Sequence, residues 1–129
     1  MIPADYLVLI GEDEPDNQII LQTVVESLVG VRAEVAGDGL AVLASVQRER
    51  PRMILLDLMM PGLDGLQVTR HLKGDPVTAS IPIVAVSAMA RADDREAALA
   101  AGCDAFVRKP FELDDLEAVI RTYLTNGSK

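Results

Sequence analysis

The 129-residue chain has little of the chemistry on which several common kinds of functional site depend. It contains one cysteine, one histidine and no tryptophan, and aromatic residues make up 3% of the sequence. A single cysteine excludes an internal disulfide framework and fits a reducing compartment. With one histidine and one cysteine, a metal site built from several soft ligands is disfavoured. The scarcity of aromatic rings also disfavours a surface on which nucleic-acid bases stack.

Positive charge is scarce as well. Lysine and arginine number 12 against 20 aspartates and glutamates, so the formal net charge is −8. This balance argues against direct binding to nucleic acid, because such binding depends on neutralising phosphates. No apolar run approaches the roughly 20 residues of a membrane span, and the first ten residues carry no basic segment of the kind found in signal peptides. We therefore expect a cytoplasmic protein that contacts neither nucleic acid nor membrane directly.

What the chain does have is a regular alternation of short apolar runs and helical patterns. Half of its residues are hydrophobic, and its length fits one domain of roughly 100–150 residues. Continuous apolar runs indicate strands that are buried on both faces. The order β-α-β-α-β-α-β-α-β-α predicts an α/β fold with a parallel sheet between two layers of helices. The strand-length runs are Tyr6–Ile10, the mixed and edge-like Arg32–Ala36, Met53–Leu56, Ile81–Val86 and Ala105–Val107.

Polar side chains stand at the predicted carboxyl ends of four strands, which is where ligands bind in open parallel sheets. Glu12 and Asp13 follow the first strand, Asp57 follows the third, Ser87 ends the fourth, and Lys109 follows the fifth. We therefore expect three carboxylates, a hydroxyl and an ammonium group to converge on one crevice.

Asp57 is the strongest single signal, because it interrupts the otherwise apolar segment 53–60. A carboxylate in such a setting is costly unless it is paired or bound to a metal, although it could instead cap the following turn. Glu12 and Asp13 could form a solvated loop, but no lysine or arginine precedes Arg32 to balance their charge. If they lie beside Asp57, they raise a pKa or recruit a cation, and Mg²⁺ suits a site built from oxygen ligands.

Ser87 and Lys109 carry little information when each is considered alone. A serine at a strand end is often satisfied by the backbone, and a lysine is usually a surface residue. The single histidine, His71, falls within a predicted helix, so a Ser-His-Asp catalytic triad is disfavoured. Only the convergence with the carboxylates gives these two residues a candidate role.

Four segments taken together resemble the receiver domain family of response regulators. They are residues 7–14 (LVLIGEDE), 54–65 (ILLDLMMPGLDG), 84–88 (VAVSA) and 102–111 (GCDAFVRKPF). The resemblance covers about residues 5–125 and implies a single receiver domain over 1–129. It also implies a flavodoxin-like (βα)₅ fold, a doubly wound parallel sheet in three layers with strand order 2-1-3-4-5.

The resemblance implies a phosphorylation site with a bound divalent cation. Asp57 is expected to be the phosphoacceptor. Glu12, Asp13, Asp57 and the backbone carbonyl of Met59 are expected to hold Mg²⁺ or Mn²⁺.

The resemblance also implies roles for residues at the last two strands. Ser87 is expected to hydrogen-bond the phosphoryl group, and Lys109 to form an ion pair with it. The peptide bond between Lys109 and Pro110 is expected to be cis. Ser87 and Phe106 occupy the positions of the conformational switch.

The function implied by the resemblance is a signalling receiver of a two-component system or phosphorelay. The phosphoryl group would come from a histidine kinase or a histidine phosphotransfer protein. A downstream protein would bind the face formed by the fourth helix, fifth strand and fifth helix. The protein would be a monomer or weak dimer, and it would catalyse only its own phosphorylation and dephosphorylation. We expect no output domain after the last helix, and the sequence does not decide between a stand-alone receiver and a receiver from a longer chain.

Three other functions remain open at this point. A flavin-binding flavodoxin shares the fold, but the acidic segment Glu12–Glu14 would repel the flavin phosphate. A phosphatase with an aspartate nucleophile usually has a second acid two residues later, where this chain has Met59. A receiver fold can also act as an interaction module without phosphorylation, although the complete set of site residues argues against this.

Overall fold

A computed structural model of the chain describes residues 6–60, 62–88 and 92–126. Five strands alternate with five helices, as the sequence predicts. The strands are β1 (Tyr6–Gly11), β2 (Val31–Ala36), β3 (Met53–Leu56), β4 (Ile83–Ser87) and β5 (Ala105–Arg108). The helices are α1 (Pro15–Glu26), α2 (Gly39–Arg48), α3 (Gly65–Lys73), α4 (Ala92–Ala101) and α5 (Leu113–Asn126).

All strand pairs are parallel, and the sheet order is β2-β1-β3-β4-β5. The predicted order 2-1-3-4-5 is therefore confirmed. The chain first runs outward from β1 to β2 and then returns to build β3, β4 and β5 on the other side of β1. The direction of winding changes between β1 and β3, so their carboxyl ends border the crevice where open sheets bind ligands.

The sheet separates two hydrophobic clusters, because successive side chains of a strand point to opposite faces. On one face, Leu9 and Ile54 pack with side chains of α2 and α3. On the other face, Val8 and Leu55 pack with side chains of α1 and α5. The strands are thus buried on both sides, and the predicted three-layer architecture is confirmed.

Aspartate side chains cap the starts of two helices. The Asp38 carboxylate accepts a hydrogen bond from the Ala41 amide at 2.8 Å. Asp64 and Gln67 form a capping box at the start of α3. Strand β4 begins at Ile83 rather than Ile81, since Pro82 has no N–H to donate to the sheet.

None of the helices in the described part of the chain has the length and apolar character that a membrane-crossing helix needs.

Candidate functional site

The backbone places Glu12 and Asp57 side by side at the edge of the sheet. In the β1·β3 register, Gly11 lies opposite Leu56, the last residue of β3. The hydrogen-bond pattern continues for one residue, because the Asp57 amide donates to the Gly11 carbonyl at 2.8 Å and the Glu12 amide donates to the Ala36 carbonyl at 3.0 Å. Hydrogen bonds to the sheet therefore fix the backbone of both acidic residues.

Three carboxylates meet at this edge, as the sequence predicts. One carboxylate oxygen from each of Glu12, Asp13 and Asp57 lies within 4.8 Å of the other two. The Glu12 residue is fully buried, Asp57 is 7% exposed, and Asp13 is half-buried. Burial of this much negative charge is unfavourable unless cations compensate it.

Lys109 supplies one compensating charge from the far end of the chain. Its Nζ donates to Glu12 Oε1 at 2.8 Å and to Asp57 Oδ2 at 3.2 Å. The Lys109 amide donates to the Ser87 carbonyl at 2.8 Å, which fixes the residue at the end of β5. One ammonium group against three carboxylates leaves a formal excess of negative charge, which a divalent cation would balance.

Local electrostatics shift two pKa values in this cluster. Burial raises the pKa of Glu12, and the charge of Asp57 adds to that rise, while hydrogen bonds from Lys109 and the Glu14 amide oppose it. Burial alone would lower the pKa of Lys109, but its hydrogen bond to Glu12 and the charges of Asp57 and Glu12 raise it overall. The Lys109 ammonium therefore stays charged at neutral pH.

The Asp57 carboxylate is oriented from both sides. Oδ1 accepts a hydrogen bond from the Met59 amide at 2.9 Å, while Oδ2 faces Lys109. Met59 lies in the β3–α3 loop and is 61% exposed. That the Met59 carbonyl binds a metal stays a prediction.

The residues predicted for the switch lie on β4 and β5. Ser87 is fully buried at the end of β4. Phe106 lies opposite Ala85 in the sheet and packs half-buried against the cluster that contains α2 and α3. The Lys109–Pro110 peptide bond is cis, as predicted.

The contact between Gln18 and Glu12 was not predicted from the sequence. Gln18 Nε2, from the first turns of α1, donates to the Glu12 carbonyl at 2.7 Å. The N-cap residue Glu14 makes no side-chain capping bond. Helices usually begin with a serine, threonine, aspartate or asparagine that caps the first turn. Glu14 is none of these, and this is a sequence signal that another contact supports the start of α1.

The donor set fits a hard divalent cation. Carboxylate oxygens are the ligands that Mg²⁺ prefers in proteins, and Mn²⁺ accepts the same set. Glu12 and Asp57 are held by hydrogen bonds to Lys109 and to backbone amides. The site is therefore shaped before any cation binds.

Known proteins share this sequence pattern. The family model for the response regulator receiver domain matches residues 8–121. The chain is 40% identical over 113 residues to the response regulator MprA of Mycobacterium leprae, covering 84% of this chain and 48% of that protein. It is 33% identical over 117 residues to the polar-differentiation response regulator DivK of Brucella anthropi, covering 91% of this chain and 94% of that protein. The chain spans about half the length of the other curated relatives that it matches.

A solved structure shares the fold closely. The receiver domain of the sensor histidine kinase PA1611 from Pseudomonas aeruginosa superposes with a TM-score of 0.86 at 32% sequence identity. The match covers 95% of this chain and all of that one. That structure holds a magnesium ion in its active-site cleft.

Proposed function

Since the chain belongs to the response regulator receiver domain family, we propose that it accepts a phosphoryl group on Asp57 from a histidine kinase or a histidine phosphotransfer protein. This step would place it in a two-component system or phosphorelay in the cytoplasm. The observation that carries the proposal is the carboxylate of Asp57, a residue that is 7% exposed, beside Glu12 and Asp13 and in contact with Lys109.

The residues that would hold Mg²⁺ or Mn²⁺ are Glu12, Asp13, Asp57 and the carbonyl of Met59. When bound, the cation supplies positive charge against the phosphoryl oxygens as charge builds up in the transition state. The clustering of the three carboxylates supports this assignment.

The chain's own residues carry the transfer. A carboxylate oxygen of Asp57 attacks the phosphorus, the P–N bond of the donor phosphohistidine breaks, and its electron pair stays on the imidazole nitrogen. Lys109 is positioned to offset charge on the transferred group, because its Nζ already lies 3.2 Å from Asp57 Oδ2. Ser87 would hydrogen-bond the phosphoryl group. Asp57 is itself the acceptor, so the chain catalyses only its own phosphorylation and dephosphorylation.

Phosphorylation would be transmitted through Ser87 and Phe106. The phosphoryl group adds roughly −1.5 to −2 charge, if values for phosphoesters apply. Ser87 moves toward the new oxygens, and Phe106 turns into the space that it leaves. The face formed by α4, β5 and α5 changes shape and binds a downstream protein, with the receiver acting as a monomer or weak dimer.

An apolar surface beside the site suits the docking of the phosphodonor. Ile19, Ile20 and Leu113 are 62%, 42% and 56% exposed. They border two adjoining cavities of about 370 Å³ and 290 Å³ between α1 and the start of α5. Lys109 lines the larger cavity, so a donor that docks here brings its phosphohistidine next to Asp57.

The test is intact mass spectrometry after incubation with Mg²⁺ and a small phosphodonor. We expect one phosphoryl adduct on the wild type, none on Asp57→Asn, and a normal adduct on Asp115→Asn, which changes an exposed aspartate of α5. No adduct on the wild type, under conditions that label a control receiver, would favour an interaction module that works without phosphorylation. Steady turnover of a generic phosphate ester would favour the phosphatase instead.

A further inference from the structure

Helix α1 begins immediately after the acidic cluster, and its first turn is supported in an unusual way. Its N-cap residue, Glu14, makes no side-chain capping bond, and Pro15 occupies the first turn. The Glu14 amide instead donates to Glu12 Oε2 at 3.1 Å. The start of the helix is thus tied to a residue of the candidate metal site.

Gln18 completes this connection from within the helix. Its backbone amide donates to the Glu14 carbonyl at 2.9 Å, and its side-chain Nε2 reaches back to the Glu12 carbonyl at 2.7 Å. That carbonyl belongs to the peptide group that links Glu12 to Asp13. Because a peptide group is planar, holding its oxygen also fixes the direction in which the chain enters Asp13.

Asp13 differs from its two acidic neighbours in how its carboxylate is held. The Glu12 carboxylate contacts Lys109 and the Glu14 amide, and the Asp57 carboxylate contacts Lys109 and the Met59 amide. Across residues 6–60, 62–88 and 92–126, no hydrogen bond or ion pair holds the Asp13 side chain. Its position therefore depends on its backbone, while the charges of Glu12 and Asp57 repel it.

We propose that Gln18 is a positioning residue for the metal site: by holding the Glu12–Asp13 peptide group, it keeps Asp13 beside Glu12 and Asp57 before Mg²⁺ binds. The expected consequence for phosphoryl transfer rests on the proposed function, whereas the effect on metal binding does not. Residues that orient metal ligands typically change metal affinity about 10–100-fold when they are replaced.

The first experiment measures Mg²⁺ binding to the unphosphorylated protein by isothermal titration calorimetry. We expect Gln18→Leu to weaken Mg²⁺ binding about tenfold or more. The matched control is Gln22→Leu, one turn further along α1, where the side chain donates a hydrogen bond to Glu26 Oε2 at 3.4 Å and to no other group in the described residues. This control should bind Mg²⁺ as the wild type does.

A second pair of variants separates positioning from charge. Gln18→Glu keeps the size of the side chain and removes the N–H donor, and it also adds negative charge near the site. Charge alone would tighten Mg²⁺ binding, so Gln22→Glu should bind the metal as well as or slightly better than the wild type. Gln18→Glu should bind it more weakly than Gln22→Glu. Circular dichroism of each variant checks that its fold is retained.

Phosphorylation gives an independent result. For Gln18→Leu, we expect the Mg²⁺ concentration for half-maximal phosphorylation to rise about tenfold or more, while the rate at saturating Mg²⁺ recovers, because Asp57 and Lys109 are unchanged.

The proposal is overturned if Gln18→Leu binds Mg²⁺ within twofold of the wild type, if Gln22→Leu weakens binding equally, or if the wild type binds no Mg²⁺. A wild type that binds Mg²⁺ but takes up no phosphoryl group would overturn the proposed function alone.

Discussion

Two lysines at opposite edges of the sheet have nearly the same exposure and very different surroundings. The Lys73 side chain is 18% exposed and the Lys109 side chain is 16% exposed. Lys73 ends α3 and lies at the amino-terminal edge, next to the starts of β4 and β5. Lys109 follows β5 at the carboxyl-terminal edge, where the acidic cluster lies.

The two ammonium groups differ in whether the charge around them is balanced. Lys73 Nζ donates to the carbonyls of Ala79 and Ile81 at 3.0 and 2.8 Å and to Asp104 Oδ2 at 3.0 Å. Asp104 Oδ2 in turn accepts the Ile83 amide at 2.8 Å. The three N–H groups of Lys73 thus have three acceptors, and its positive charge is balanced by the negative charge of Asp104. Lys109 instead faces more negative charge than it can balance, so burial alone does not distinguish a structural lysine from one in a ligand site.

The largest expected effect follows from replacing Lys109 by methionine. This change leaves the buried Glu12 and Asp57 without their cation, so we expect unfolding free energy to fall by about 3 kcal/mol in the absence of metal. Phosphoryl transfer should slow about 100-fold or more. Urea unfolding with and without Mg²⁺, together with a time course of the phosphoryl adduct, measures both effects. Because the variant has three unbalanced carboxylates, Mg²⁺ should restore more stability to it than to the wild type.

Lys73→Met should also destabilise the fold, by about 1–3 kcal/mol, because the carbonyls of Ala79 and Ile81 lose their donor. In contrast to the change at Lys109, phosphorylation and Mg²⁺ affinity should stay as in the wild type. The same two assays measure these quantities. If Mg²⁺ restores stability to Lys73→Met, then the amino-terminal edge is not the purely structural region described above.

A smaller effect is expected at Gly102, which packs against the Lys73 side chain. Its φ is +116°, and a Cβ here would lie 2.7 Å from Lys73 Cγ. We expect Gly102→Ala to lower unfolding free energy by about 1–2 kcal/mol, because an L side chain is strained in that conformation. Gly37→Ala is the control, since a Cβ there would meet no atom within 4 Å. Equal stability losses in the two variants would argue against this specific packing.

The smallest expected effect is a pH dependence of stability at the carboxyl-terminal edge. The pKa of Glu12 is raised above its ordinary value of 4.5, chiefly by burial. Between that value and the raised one, the folded chain binds more protons than the unfolded chain, so Glu12 makes stability fall as pH rises. The raised pKa of Lys109 acts only above about 10.5 and adds nothing in this range.

Urea unfolding across this pH range, without metal, tests that sign. Glu12→Gln should remove the Glu12 contribution and flatten the profile. Mg²⁺ should oppose the fall in the wild type, because it binds the ionised carboxylate. An equally steep profile in Glu12→Gln would assign the pH dependence to other groups.

Much of this fold was predictable because its signals are local. Continuous apolar runs marked most of the strands, and a mixed, edge-like run marked β2. The convergence of Glu12, Asp13 and Asp57 followed from topology, since parallel strands bring their carboxyl ends to one edge. Which side chains contact one another at that edge depends on three-dimensional packing, which cannot be inferred from the sequence alone.

Three contacts illustrate that limit. The Glu12 side chain is fully buried and lies 2.8 Å from Lys109 Nζ, although the sequence places Glu12 in an acidic segment that could equally be a solvated loop. Gln18 has no feature in the sequence that distinguishes it from Gln22, yet only Gln18 lies close enough to the Glu12 carbonyl. Lys73 ends a helix like many surface lysines, and its burial appears only once the α3–β4 loop folds over it.

The contact between Lys109 and Glu12 joins residues that are 97 positions apart in the chain. We expect this contact to form late in folding, because closing a long loop has an entropic penalty that short-range contacts avoid. A chain in which β5 has not yet docked would contain Asp57, the proposed phosphoacceptor, without the Lys109 ammonium group beside it. Under the proposed function, a chain would accept a phosphoryl group efficiently only once the whole sheet is assembled, and partly folded chains would consume little of the phosphodonor.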